Sequence, residues 1–235
     1  MAGARPLVVA ELRAFGRYVT RPRRTIREAA VGTALQRWLI ALVAIVVLDL
    51  VALLPLGAIV DRTGVTHRLD DVLPALLFAL GVLVAPSVEE LLFRAGLRSS
   101  RYALFIGPGL IGLYAASSWT TGLLAAACCG LGLVALAVRR RRLRRLGAGM
   151  AFGRAYLRRF PIVFFGYGAA FGLVHSVNWT SPSVGAALLL PVLTLPQFVF
   201  GVVAGYLRIR DSLQSAIALH MASNALVLAA GLAFA

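Results

Sequence analysis

Three short patterns place side chains able to do acid–base chemistry inside apolar surroundings: Glu89-Glu90-Leu91-Leu92-Phe93-Arg94, Phe171-Gly172-Leu173-Val174-His175, and His220-Met221-Ala222-Ser223-Asn224. A charge at membrane depth costs about 3 kcal/mol on insertion scales, so an ionisable cluster there points to function. On a helix, positions i and i+4 share a face. That spacing sets Glu90 beside Arg94, Phe171 beside His175 and His220 beside Asn224. Glu89 projects about 100° away from Glu90. The geometry predicts a division in which Glu90 is compensated by Arg94 while Glu89 faces a cavity. A carboxylate with histidines in a wet intramembrane pocket suits activation of water for attack on a carbonyl. A second histidine and an asparagine amide suit donation to the oxyanion that develops. A lone intramembrane histidine is more often a packing residue; three such patterns in one chain reverse that reading.

Composition decides where these residues lie. The chain of 235 residues is 60% hydrophobic and only 14% charged, with a mean hydropathy of +0.86. Soluble domains carry about 25% charged residues, so an all-α polytopic transmembrane bundle is predicted rather than a soluble domain. The net charge of +15 falls mainly between the apolar runs, which is the positive-inside pattern. It reads as topology and contact with anionic lipid, and not as a nucleic-acid surface. Cys128 and Cys129 are adjacent in an apolar run and offer neither a disulfide framework nor a metal spacing.

The elements that must position the patterns follow in order. Residues 1–37 form a basic cytoplasmic segment, in which Leu7, Val8, Leu12, Phe15 and Val19 make one stripe of an interfacial helix ending at Pro22. Residues 38–235 form one transmembrane domain of about seven spans. The first runs from Trp38 to Val60 with Asp49 midway and Pro55 as a kink site; Asp49 reads equally as a polar anchor between helices or a functional group. The loop 61–71 lacks positive excess and is placed outside. The second span starts near Val72, and Pro86 is positioned to begin a fresh helical segment just before the glutamates. Tyr102 to Val138 is too long for one crossing and splits near Trp119-Thr120-Thr121-Gly122. The arginine run 139–145 is the strongest inside signal. Spans five to seven are expected at 160–177, 184–207 and 212–234. The amino terminus and the arginine-rich loops are then cytoplasmic in a multi-pass cell-membrane protein.

The ordered set E-E-x-x-x-R, F-x-x-x-H and H-x-x-x-N on separate apolar helices resembles the CAAX protease and bacteriocin-processing family of intramembrane proteases, which includes the type II CAAX prenyl endopeptidases and the Abi proteins. All three motifs are complete over residues 89–224. The resemblance implies that Glu89 and His175 activate water, that His220 and Asn224 stabilise the oxyanion, and that Glu90, Arg94 and Phe171 support them. Members have been regarded as metalloproteases or as glutamate-dependent proteases. No H-E-x-x-H is present and asparagine is a poor zinc ligand, so the metal-free reading is preferred; the zinc alternative would use Glu89, His175 and His220. The expected partners are membrane lipids and a peptide or lipidated-protein substrate.

Two other classes accommodate the same residues: a non-proteolytic immunity or scaffold protein with the same fold, and a proton-coupled transporter. The interval 95–170 is longer than the family pattern leads one to expect. Depth also poses a conflict. Hydropathy boundaries put Glu89 and His220 near the inner face but His175 nearer the outer one, and all three must meet if they act together.

Overall fold

The computed structural model describes residues 4–24, 32–67, 78–100, 102–115, 156–181 and 183–234, with single helical positions at 130, 134, 137, 138, 141 and 154. The described chain is helical apart from one pair of two-residue strands. Helix α1 spans Ala4–Thr20 and α2 spans Ala34–Thr63. Thr33 starts α2 with a reciprocal capping box to Gln36, and Gly64 ends it in the left-handed conformation, where a missing Cβ removes the steric penalty. Pro55 lies inside α2. Strand β1, Thr66–His67, then pairs antiparallel with β2, Trp179–Thr180.

A π-helical turn at Ala79–Val84 leads into α3, Ala85–Arg94, and a 3-10 turn at Ala95–Arg98. A second π turn at Tyr102–Ile106 leads into α4, Gly107–Tyr114. Helix α5, Phe160–Val174, runs on into a 3-10 turn, His175–Asn178. The expected single span from Val184 is broken into α6 (Val184–Ala187), α7 (Leu190–Leu193) and α8 (Leu195–Arg210). Pro191 and Pro196 sit in the first turns of α7 and α8, where a missing N–H is harmless, whereas inside a continuous helix each would remove a hydrogen bond. Helix α9 spans Leu213–Phe234.

Among the described residues, four stretches are long and apolar enough to cross a membrane: Ala34–Ala52, Phe160–Asn178, Val184–Arg210 and Leu213–Ala230. They correspond to the first, fifth, sixth and seventh expected spans. The start of the second (72–77), the break at Trp119–Gly122, both cysteines and most of the arginine run lie outside the described residues.

The core forms where α5 and α8 approach closely. A Cβ on Gly201 would lie 3.2 Å from Gly168 Cα, and one on Gly172 would lie 3.1 Å from the Phe198 backbone nitrogen, so small residues set the helix separation. Phe93, Phe160, Phe164, Phe171 and Phe200 are buried around this seam. Helix α1 carries a buried face that its apolar stripe did not announce. Its inward face is Glu11, Ala14 and Tyr18, which are buried, with Phe15 and Val19 packed beside them, while Val8 and Leu12 of the expected stripe are exposed. The reason is tertiary: Tyr206 of α8 donates to Glu11 Oε1 at 2.7 Å, making a buried carboxylate tolerable. Nearby, Arg37 pairs with Asp211 at the α8–α9 turn, and Arg98 Nη2 donates to the Ile209 carbonyl at 2.8 Å.

Candidate active site

The glutamates owe their position to an interrupted helix. In the π turn, the Ala85 N–H reaches the Leu80 carbonyl five residues back. The next carbonyl, that of Gly81, would take the N–H of residue 86 in this pattern, but Pro86 has none to give. Asn224 Nδ2 donates to it instead at 2.7 Å. The asparagine of the third pattern is thus tied to the segment that carries the first. Such π turns are frequent at functional sites.

Beyond Pro86, α3 sends Glu89, Glu90, Phe93 and Arg94 inward, all buried. Glu90 Oε1 lies 3.3 Å from Arg94 Nη1 and 3.0 Å from His220 Nδ1. The guanidinium sits over the Phe171 ring at 3.9 Å, a desolvated cation–π contact. Glu89 turns the other way, as the 100° step requires. Its Oε2 is 3.8 Å from His175 Nε2 and also 3.8 Å from His220 Nε2. Its Oε1 accepts a 2.7 Å hydrogen bond from the Tyr114 hydroxyl of α4.

Each histidine is oriented by its other nitrogen. His175 Nδ1 is 2.7 Å from the Phe171 carbonyl, so it carries the proton and Nε2 presents a lone pair. His220 Nδ1 faces the Glu90 carboxylate and so carries a proton on that nitrogen. Phe200 packs on His220 with ring centroids 4.6 Å apart.

Glu89, His175 and His220 therefore converge, while Asn224 is engaged with Gly81. Since the three side chains meet, the depths read from hydropathy do not all hold, although α5 does begin at Phe160 as expected. A Cβ on Gly205 would lie 2.9 Å from Phe164 Cε2 and 3.6 Å from Leu97 Cδ1, so those three residues share one level. His175 is eleven residues along from Phe164 and Glu89 eight residues back from Leu97, rises of about 16 and 12 Å.

Sequence reasoning missed Tyr114, Phe200 and the Gly81 carbonyl. Tyr114 belongs to the interval 95–170, and no periodic relation links it to Glu89. The Gly81 interaction had one readable signal, a proline five residues after a glycine in an apolar run.

The zinc alternative can be tested on donor spacing. Ligand bonds of about 2.0–2.1 Å in a tetrahedron place donors about 3.3 Å apart. Both Glu89–histidine edges, at 3.8 Å, are wider than that. Among the described residues no group of three His, Cys, Asp or Glu is set to hold a metal ion. As arranged, these side chains do not fit zinc. A water about 2.8 Å from each of the three atoms spans the same edges with ordinary hydrogen bonds.

Neither a curated protein nor a solved structure matches the chain significantly. A family model does: that of the type II CAAX prenyl endopeptidases, Rce1-like, over residues 71–226. The match takes in more than half of the chain and includes all three motifs, from Glu89 to Asn224, and on that ground the chain belongs to the Rce1-like type II CAAX prenyl endopeptidase family.

Proposed function

We propose that this protein is an intramembrane endopeptidase that hydrolyses a peptide bond of a membrane-anchored substrate, prenylated or hydrophobic, by means of a water held between Glu89, His175 and His220. The observation that carries the reading is the convergence of both Nε2 atoms on one oxygen of Glu89 at 3.8 Å. A water has two protons to give. Glu89 Oε2 and His175 Nε2 are acceptors, so a neutral His220 would make a third and leave one unserved. The hydrogen-bond count is satisfied when His220 is doubly protonated, held by Glu90 through Nδ1 and donating from Nε2. The buried charges then sum to zero: Glu89 and Glu90 against Arg94 and His220, the arrangement least costly to bury.

Hydrolysis follows from that state. Glu89 accepts a proton as the water oxygen attacks the carbonyl carbon. The His220 Nε2–H donates to the developing oxyanion, joined by the Asn224 N–H not used on Gly81; such donors contribute about 3 kcal/mol each. As the tetrahedral intermediate collapses, Glu89 returns its proton to the leaving amine, and the C–N bond breaks. His175 holds the water through its lone pair and fixes its orientation. Charge bias places α1 and the α8–α9 turn on the cytoplasmic side.

The test uses the purified full chain in detergent with membrane-anchored and prenylated peptides, with and without a chelator. Chelator-resistant cleavage that falls at least ~100-fold in Glu89→Gln is expected. Equal activity in wild type and Glu89→Gln sinks the assignment, and chelator-sensitive cleavage sinks the metal-free mechanism.

A further inference from the structure

Glu89 is bounded on its remaining side by a residue that no motif contains. Tyr114 lies in the last turn of α4 and is 44% exposed, with its hydroxyl 2.7 Å from Glu89 Oε1. A phenol beside a carboxylate donates, since the carboxylate has no proton of its own.

The helix that presents it is fixed by two other phenols. Tyr102 donates to the Leu91 carbonyl of α3 at 2.9 Å, and Tyr167 of α5 donates to the Ala103 carbonyl at 2.9 Å. Gly107, at the start of α4, leaves no room for a side chain: a Cβ there would lie 2.0 Å from the Tyr167 hydroxyl oxygen. Helix α4 is thereby registered against both α3 and α5.

We infer that Tyr114 is a positioning residue for the general base: by donating to Glu89 Oε1 it fixes the carboxylate so that Oε2 alone faces the two histidines and the water between them. Without it, the carboxylate plane is free to rotate and either oxygen can meet the water. The contact gives part of the interval 95–170 a role in the reaction. The inference rests on the proteolytic reading for its kinetic consequence, but its geometric core does not.

The experiment compares wild type, Tyr114→Phe, Glu89→Gln and the double variant as full chains in detergent. Cleavage is followed on a membrane-anchored peptide. In parallel, the rate at which Glu89 is esterified by a small diazo reagent is read by mass spectrometry, and the unfolding midpoint is recorded. Tyr114→Phe is expected to lower kcat about tenfold with KM within twofold, and to add nothing to Glu89→Gln, as for groups that act as one unit. Esterification of Glu89 should rise several-fold in Tyr114→Phe, with the midpoint unchanged because water can replace the hydroxyl of a residue as exposed as Tyr114, unlike the buried Tyr206. Faster labelling without any cleavage by wild type leaves the positioning role standing and removes the protease. Unchanged labelling with wild-type kcat overturns the inference, as does a fall in kcat matched by a fall in the midpoint.

Discussion

Replacing Arg94 with methionine removes one partner from a buried pair and leaves the other without compensation. Arg94 is 2% exposed and Glu90 0%. Among the described residues both guanidinium Nη atoms and Glu90 Oε2 are buried without a hydrogen-bond partner, so the pair is held by charge at 3.3 Å and by the Phe171 face at 3.9 Å. Removing one partner of such a pair costs about 3–5 kcal/mol. Methionine replaces most of the stem, so little cavity adds to this. At about 2–4 °C per kcal/mol for a chain of this size, the midpoint should fall by roughly 6–20 °C. The assay is thermal unfolding in detergent with the double variant Glu90→Gln/Arg94→Met alongside. With no charge stranded, the double should return to within about 1–2 kcal/mol of wild type, because glutamine can still accept from His220 Nδ1. Its cleavage should stay at least ~10-fold down, since His220 loses the carboxylate that orients its ring through Nδ1. A single variant within about 1 kcal/mol of wild type would refute the argument. A double variant no better than the single would refute it as well.

Three other outcomes are expected. Gly201→Ala puts a Cβ 3.2 Å from Gly168 Cα and 3.3 Å from Arg94 Nη2; overpacking of this kind costs about 1–3 kcal/mol, read as a lower midpoint together with reduced cleavage. Asn224→Ala and Asn224→Asp should be about equally impaired in cleavage, because an ionised aspartate cannot donate to the Gly81 carbonyl; full activity in Asn224→Asp would show that the donation is dispensable. Tyr206→Phe strands the Glu11 carboxylate at a cost of about 1–3 kcal/mol. Limited proteolysis should then cut the α1–α2 connection faster, and Tyr206→Phe/Glu11→Leu should restore resistance.

Much of this was legible because the signals are local. Glu90 with Arg94 and Phe171 with His175 share helix faces by the i, i+4 rule alone, and the structure pairs them as that rule requires. The fresh helical start at Pro86 follows from the missing N–H of proline. How separate helices fit together leaves no mark in composition: the close approach of Phe164 to Gly205 is set by packing between helices. Likewise nothing local announces that Glu11 is buried, because its partner Tyr206 lies 195 residues away.

The sequence by itself determined the class and the candidate residues. Apolar runs that must satisfy their own backbone in lipid become helices, and the few ionisable groups inside them had to be functional or paired because their cost there is high. What only the tertiary structure decided is which distant groups meet. Both histidines and Tyr114 surround Glu89, His220 meets Glu90, and Asn224 donates to the Gly81 carbonyl. These contacts join residues 25 to 143 positions apart. Helical periodicity fixes the direction of a side chain on its own helix, but which neighbour meets it is set by how glycine seams and buried aromatic rings let separate helices pack.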